Sequence, residues 1–266
     1  MQARRRPAES ELVVTDSAVA CGPGLGRWQL RERLGRGGNA RVWRAVDGAG
    51  RVAALKIPHA HGVDSLRYEH SLLATISHAN VVATFGLVSA DGRSALALEY
   101  LPGGDLVAMA GGPPQHWLPA LRAVWAALCE LHARGLAHCD VKARNVLFAA
   151  DDGPRLIDFA TARPLDAPLR RSIATAACTP AGVSTRAQSA DCFAFAALVY
   201  ELATGRLPYG AAGARWDGEA PGPIPTATRS APLLGVAADV LRAGGRAHEG
   251  LSVFADGLES ASKAHC

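Results

Sequence analysis

Residues 138–145 of this 266-residue chain read HCDVKARN, and Asp158 follows thirteen positions after Asn145, inside IDF at residues 157–159. Asp, Lys, Asn and Asp at these intervals are the set that phosphoryl transfer needs. A carboxylate such as Asp140 can orient a hydroxyl and accept its proton. An ammonium such as Lys142 can neutralise charge on the transferred group. Asn145 and Asp158 offer oxygen atoms to Mg²⁺, a hard cation that keeps several of its waters. Composition sharpens the pattern. Lys and Arg together number 28, yet the only lysines are Lys56, Lys142 and Lys263, and the only asparagines are Asn39, Asn80 and Asn145. A sequence that writes Arg nearly everywhere keeps Lys inside this motif, where a compact ammonium differs from a planar guanidinium.

Two further segments suit the same chemistry. VAALKI, residues 52–57, ends an apolar strand with Lys56, which is costly unless something buried needs its charge. Glu69, on the helix expected next, is the natural counter-ion. LGRGGNARVW, residues 34–43, lies between two expected strands, and Gly35 and Gly37 leave backbone N–H groups room to approach phosphate oxygens. Ala40 stands where a third glycine is expected, and by itself such a hairpin is equally a plain turn. It matches neither the P-loop nor a dinucleotide-binding loop.

These residues must be positioned by a definite set of elements. Short alternating runs predict three antiparallel strands at 28–34, 40–46 and 51–57. Asp64 is the expected cap of a helix carrying Leu66, Leu72, Leu73 and Ile76 on one side. Two more strands are expected at 81–88 and 94–100 around an Asp91-Gly92 turn. After Pro102-Gly103-Gly104 the character becomes helical. Leu118, Leu121, Trp125, Leu128 and Leu131 recur at helical spacing with Gly135 as a stop. Helices are also expected at 191–204, 233–242 and 251–259, with 210–230 as loop. Residues 1–24 lack periodicity and read as a flexible leader with one short strand at 12–14.

Composition excludes other classes. The net charge of +4 is mild and no basic run interleaves with aromatics, so nucleic acid is not an expected partner. No stretch approaches a membrane span, and the six cysteines contain no C-x-x-C pair. Free thiols in a reducing, cytoplasmic setting are the expectation. The oligomeric state is not encoded in any pattern of this kind.

The motifs, in this order, resemble the eukaryotic-type protein kinase family, in the form that bacteria also carry. The resemblance runs from about Trp28 to the C-terminus. It implies an α+β, bilobal fold: a small antiparallel sheet lobe with one helix (25–101) and a larger, mainly helical lobe (102–266). It implies ATP and Mg²⁺ as cofactors and a protein substrate. Gly35–Val42 is similar to the family's glycine-rich loop, and Lys56 and Glu69 to its lysine–glutamate pair. SHANVV at 77–82 is similar to the turn that follows the family's first helix. LEYLPGGDL, residues 98–106, is similar to the hinge. There Leu98 would be the gatekeeper, backbone groups of Glu99 and Leu101 would meet adenine, and Asp105 the ribose. Val42, Ala54 and Leu147 would sandwich the ring. Asp140 and Lys142 would be catalytic, and Asn145 and Asp158 would hold the metal. DCFAFAALVYELATGRLPY, residues 191–209, is similar to the buried central helix, with Asp191 bracing the catalytic loop.

The chain also departs from the family pattern. Cys139 replaces the Arg before the catalytic Asp, which implies activity independent of phosphorylation of the activation loop. Ala160 replaces the glycine of the Asp-Phe-Gly motif. Cys178-Thr179-Pro180 resembles the end of the activation segment, but no Ala-Pro-Glu follows, and Arg246 is a doubtful partner for the missing Glu. Ser172 and Thr175 are candidates for self-phosphorylation. Besides a Ser/Thr protein kinase, two alternatives fit the residues: a nucleotide-binding scaffold, and a small-molecule phosphotransferase of related fold.

Overall fold

In the computed structural model the described residues are 24–37, 40–59, 62–151, 153–169, 178, 185–213, 220–223, 231–244 and 250–263. The expected leader up to residue 23, Ser172, Thr175, Thr179, Pro180 and Arg246 lie outside them. The expected α+β, bilobal arrangement is present.

The first lobe is a curled antiparallel sheet. Its strands are β1 (Gly24–Leu25), β2 (Trp28–Arg36), β3 (Ala40–Asp47), β4 (Val52–Pro58), β5 (Thr84–Ala90) and β6 (Arg93–Glu99), in the order β1-β2-β3-β4-β6-β5. Strand alternation decides which side chains face which way. In β4, Ala53 and Leu55 are buried with Trp28, Leu30, Ala45 and Ala97 in the core of the sheet. Ala54 and Lys56, one residue out of phase, face the cleft below. Asp91 and Gly92 form the expected turn, with φ of 51° and 72°. Between β4 and β5 comes α1 (Val63–Leu73), which buries Leu66, Glu69 and Leu73. Its N-cap is Gly62 and not the expected Asp64. Asp64 sits in the first turn, where its charge suits the helix dipole.

The strand expected from Val81 starts only at Thr84. Val81 instead forms a parallel bridge with Leu156 of the second lobe. Val82 N–H donates to the Leu156 carbonyl at 3.1 Å, and Leu156 N–H to the Asn80 carbonyl at 2.8 Å. A partner far along the chain overrides the local strand pattern.

The second lobe is built on α2 (Pro114–Ala133) and a later helix, α3 (Ala187–Thr204). Between them run short strands: β7 (Leu136–Ala137), β8 (Val146–Phe148), β9 (Pro154–Leu156), β10 (Arg163–Pro164), β11 (Pro168–Leu169) and β12 (Thr185–Arg186). β8 pairs with β9, β7 with β10 and β11 with β12, all antiparallel. After α3 come α4 (Ala231–Ala243), a 3₁₀ turn at Gly250–Phe254 and α5 (Ala255–Lys263). α3 is apolar on every side and almost wholly buried, as such a helix must be. It begins at Ala187, four residues before the expected Asp191, which leaves Asp191 inside the helix and fully buried.

A single segment of chain, past β6, joins the lobes. Beyond β6, Gly103 N–H donates to the Phe148 carbonyl and Phe148 N–H to the Gly104 carbonyl, at 2.9 and 3.0 Å. A Cβ on Gly103 would lie 2.6 Å from the Phe148 Cβ, so only glycine permits this approach.

Candidate active site

Between the lobes lies a cleft of about 860 Å³. Of the residues singled out from the sequence, Gly35, Gly37, Val42, Ala54, Lys56, Glu69, Glu99, Leu101, Asp105, Asp140, Leu147 and Asp158 line it. Leu98 lines it as well. Lys142 and Asn145 do not reach its wall; they stand beside Asp140, each hydrogen-bonded to that carboxylate.

One end of the cleft carries a charge cluster. Lys56 Nζ donates to both Glu69 oxygens at 2.9 and 2.7 Å and to Asp158 Oδ1 at 2.7 Å. Burial works to depress the ammonium pKa, but Glu69 and Asp158 outweigh it and hold it above its ordinary value. Burial works to raise Asp158, but the charge and hydrogen bond of Lys56 win and hold it below 3.8. Glu69 goes up: burial dominates, and Asp158 adds to it against Lys56. Glu69 also accepts the Phe159 N–H at 3.2 Å, which ties α1 to the residue after Asp158. Asp158 itself is left-handed, with φ of 65°.

Asp140 is held by the loop 138–145. Asn145 Nδ2 donates to the Asp140 carbonyl at 2.8 Å and to its Oδ2 at 2.9 Å, and Lys142 Nζ donates to Oδ2 at 2.7 Å. Two donors thus fix the carboxylate. Asp191 holds the loop from beneath. Its two oxygens accept the backbone N–H groups of His138 and Cys139 at 2.8 and 2.7 Å, and His132 Nε2 lies 2.9 Å from Oδ2. That grip secures Cys139 at φ of 67°, a conformation that costs a non-glycine residue about 1 kcal/mol or more. Ile157 N–H donates to the Asn145 carbonyl at 2.9 Å, which locks the two candidate metal-holding segments together.

The residues suit the cofactors the resemblance implies. Both Nδ2 protons of Asn145 are used within the loop, which leaves its amide oxygen as the group to meet a cation. With the Asp158 carboxylate it makes two hard oxygen donors, a set that Mg²⁺ takes together with phosphates and water. A Cβ at Gly35 would meet no atom within 4 Å, so the loop has room above the cleft. At the hinge, Glu99 N–H is spent on the Ala83 carbonyl at 2.9 Å, so only its carbonyl is left to meet an adenine.

Comparison with known proteins decides the family. A protein kinase domain family matches residues 28–218. The chain belongs to the protein kinase family. Among relatives of this kinase domain, the Serine/threonine-protein kinase Pkn1 of Myxococcus xanthus is 30% identical over 208 residues. The DNA damage-responsive serine/threonine-protein kinase RqkA of Deinococcus radiodurans is 33% identical over 208 residues. In both cases the match covers 69% of this chain and 30% of the relative. The Serine/threonine-protein kinase PkaA of Streptomyces coelicolor is 32% identical over 216 residues, 69% of this chain and 40% of that protein. The chain thus spans less than half the length of these relatives.

Several contacts of the kinase cleft were not legible in the sequence. His132 recurs on α2 like any helix residue, and nothing local marks it as a partner of Asp191. Arg155 meets Glu99 at 3.4 Å behind the hinge, and Tyr68 on α1 donates to the Ala162 carbonyl at 2.7 Å. Both pairs join distant segments, and only the fold reveals them. Cys139 is buried and hydrogen-bonded to Arg163, and burial drives its thiol far up, which agrees with an inert thiol beside Asp140.

Proposed function

We propose that this chain transfers a phosphoryl group from ATP to Ser or Thr hydroxyls of protein substrates, with Asp140 as the catalytic base. We take residues 25–266 as one catalytic unit, hinged near residue 101. One observation carries the reading: Lys56 bridges Glu69 and Asp158 at 2.7–2.9 Å, in the same cleft as an Asp140 held by Lys142 and Asn145. A scaffold that only binds nucleotide has no need of the Asp140–Asn145 pair. Lys142, two residues beyond Asp140, supports Ser or Thr as the acceptor.

Asp140 orients the acceptor hydroxyl and takes its proton as the new oxygen–phosphorus bond forms and the bond to the ADP oxygen breaks. Lys142 neutralises charge on the group in transit. Lys56, fixed by Glu69, offers its ammonium to phosphate oxygens. Asn145 and Asp158 would hold Mg²⁺, which supplies charge neutralisation at the phosphates. Leu98, Glu99 and Leu101, which line the cleft, would meet the adenine, and Asp105 the ribose. The work is positioning and electrostatics rather than covalent chemistry.

Labelled ATP, Mg²⁺ and a generic basic protein test this. Asp140→Asn is expected to lower turnover at least about a hundredfold. Thermal shift should show that nucleotide binding survives in that variant. Equal turnover in the variant and the parent would sink the assignment.

A further inference from the structure

Tyr68 is 41% exposed, like an ordinary surface tyrosine on α1. Its hydroxyl is nevertheless spent on the carbonyl of Ala162, 94 residues away in the other lobe. Ala162 is buried and closes the 3₁₀ turn Phe159–Thr161, its N–H donating to the Phe159 carbonyl at 3.1 Å. The next residue of α1, Glu69, accepts the N–H of Phe159 at the other end of that turn. Consecutive helix residues point about 100° apart. Tyr68 and Glu69 therefore grip the two ends of one turn from two directions. A single contact would let the turn pivot; two fix its orientation.

The turn follows Asp158 directly, and it is anchored on its far side as well. Thr161 Oγ1 donates to the His138 carbonyl at 3.2 Å, and Arg163 Nε donates to the Thr161 carbonyl at 3.0 Å. The Tyr68 bond thus closes a path from α1, through the turn, to the loop that carries Asp140.

We propose that Tyr68 is a positioning residue for phosphoryl transfer, its hydroxyl coupling the placement of α1 to that of Asp158 through the Ala162 carbonyl. The inference rests on the phosphotransfer reading above. Tyr68 is not among the described residues that line the cleft, so its loss bears on turnover and not on nucleotide affinity.

The test compares the full chain with Tyr68→Phe and Tyr68→Ala in two readouts: steady-state kinetics with labelled ATP and a basic protein, and amide hydrogen exchange over residues 158–165 without nucleotide. Both substitutions lie on an exposed side chain, and Phe removes one atom only. The expected result is a similar loss of kcat in both variants, about threefold to tenfold, the shift one net hydrogen bond supports. KM for ATP stays within about twofold, the scatter expected of contacts left intact, and exchange over the turn becomes faster. Tyr68→Phe with parental kcat and exchange would overturn the proposal. So would a deficit in Tyr68→Ala alone, which would assign the effect to the ring, or a raised KM with unchanged kcat. If the parent shows no turnover, the phosphotransfer reading fails, and exchange alone decides: unchanged exchange in Tyr68→Phe overturns the coupling, and faster exchange upholds it.

Discussion

Lys56 is the residue on which most electrostatic consequences converge. Its side chain is 14% exposed and that of Glu69 1%, so removing one partner strands a buried charge. Lys56→Met is expected to cost about 3 kcal/mol of stability by urea denaturation, whereas Lys56→Met with Glu69→Leu costs less, because the deeply buried Glu69 charge goes with its partner and the carboxylate that remains, Asp158, is 41% exposed. Phosphoryl transfer is lost in both. Asp158 adds a pH signature. Its folded pKa lies below the ordinary 3.8, so its contribution is present above that value and is lost as pH falls through the lower folded value. The stability gap between the parent and Asp158→Asn should therefore be present at neutral pH and close below pH 3.8. Denaturation curves across that range check it. This charge cluster was legible in the sequence because Lys is rare there and Glu69 falls on the next helix. Tyr68 and His132 were not, because a hydrogen bond across the fold leaves no mark in local spacing.

At the scale of elements, α3 matters through a single side chain. Asp191→Ala removes the acceptor of two buried backbone N–H groups and the partner of His132. A loss of about 3 kcal/mol is expected, with turnover reduced further because Cys139 relaxes from its left-handed backbone. Thermal melting beside an activity assay separates the two effects. The hinge offers a second test. Gly103→Ala would push a methyl to 2.6 Å from the Phe148 Cβ and is expected to cost about 1–3 kcal/mol and to raise KM for ATP. Element boundaries were readable where turn chemistry marks them, as at Asp91-Gly92. They were missed where tertiary partners decide. Val81 reads as strand by pattern but pairs with Leu156. Ala187–Ala190 carry no capping signal, yet the helix starts there, with Ala187 N–H on the Ala167 carbonyl at 3.0 Å.

Across the whole molecule, one buried cluster runs from Leu66 and Leu73 on α1 through α2 and α3 to α4 and α5. It encloses Cys178 and Cys192, while Cys139 is buried in a separate small cluster with Ala137, Ala187 and Ala190. Burial pushes Cys178 and Cys192 up to about 12 and Cys139 higher still. Iodoacetamide near neutral pH should leave these three unlabelled in the native protein and label them in urea, as mass spectrometry would show. Labelling of native Cys139 would contradict its burial. At the same scale, the hairpin of β8 and β9 is bonded at one end to the first lobe and at the other to the segment just past the hinge. Leu156 at one end bonds to Asn80 and Val82, and Phe148 at the other bonds to Gly103 and Gly104. Sliding of the first lobe along the hairpin would break the backbone bonds at Leu156, so that residue is the point about which the lobes can turn at least cost.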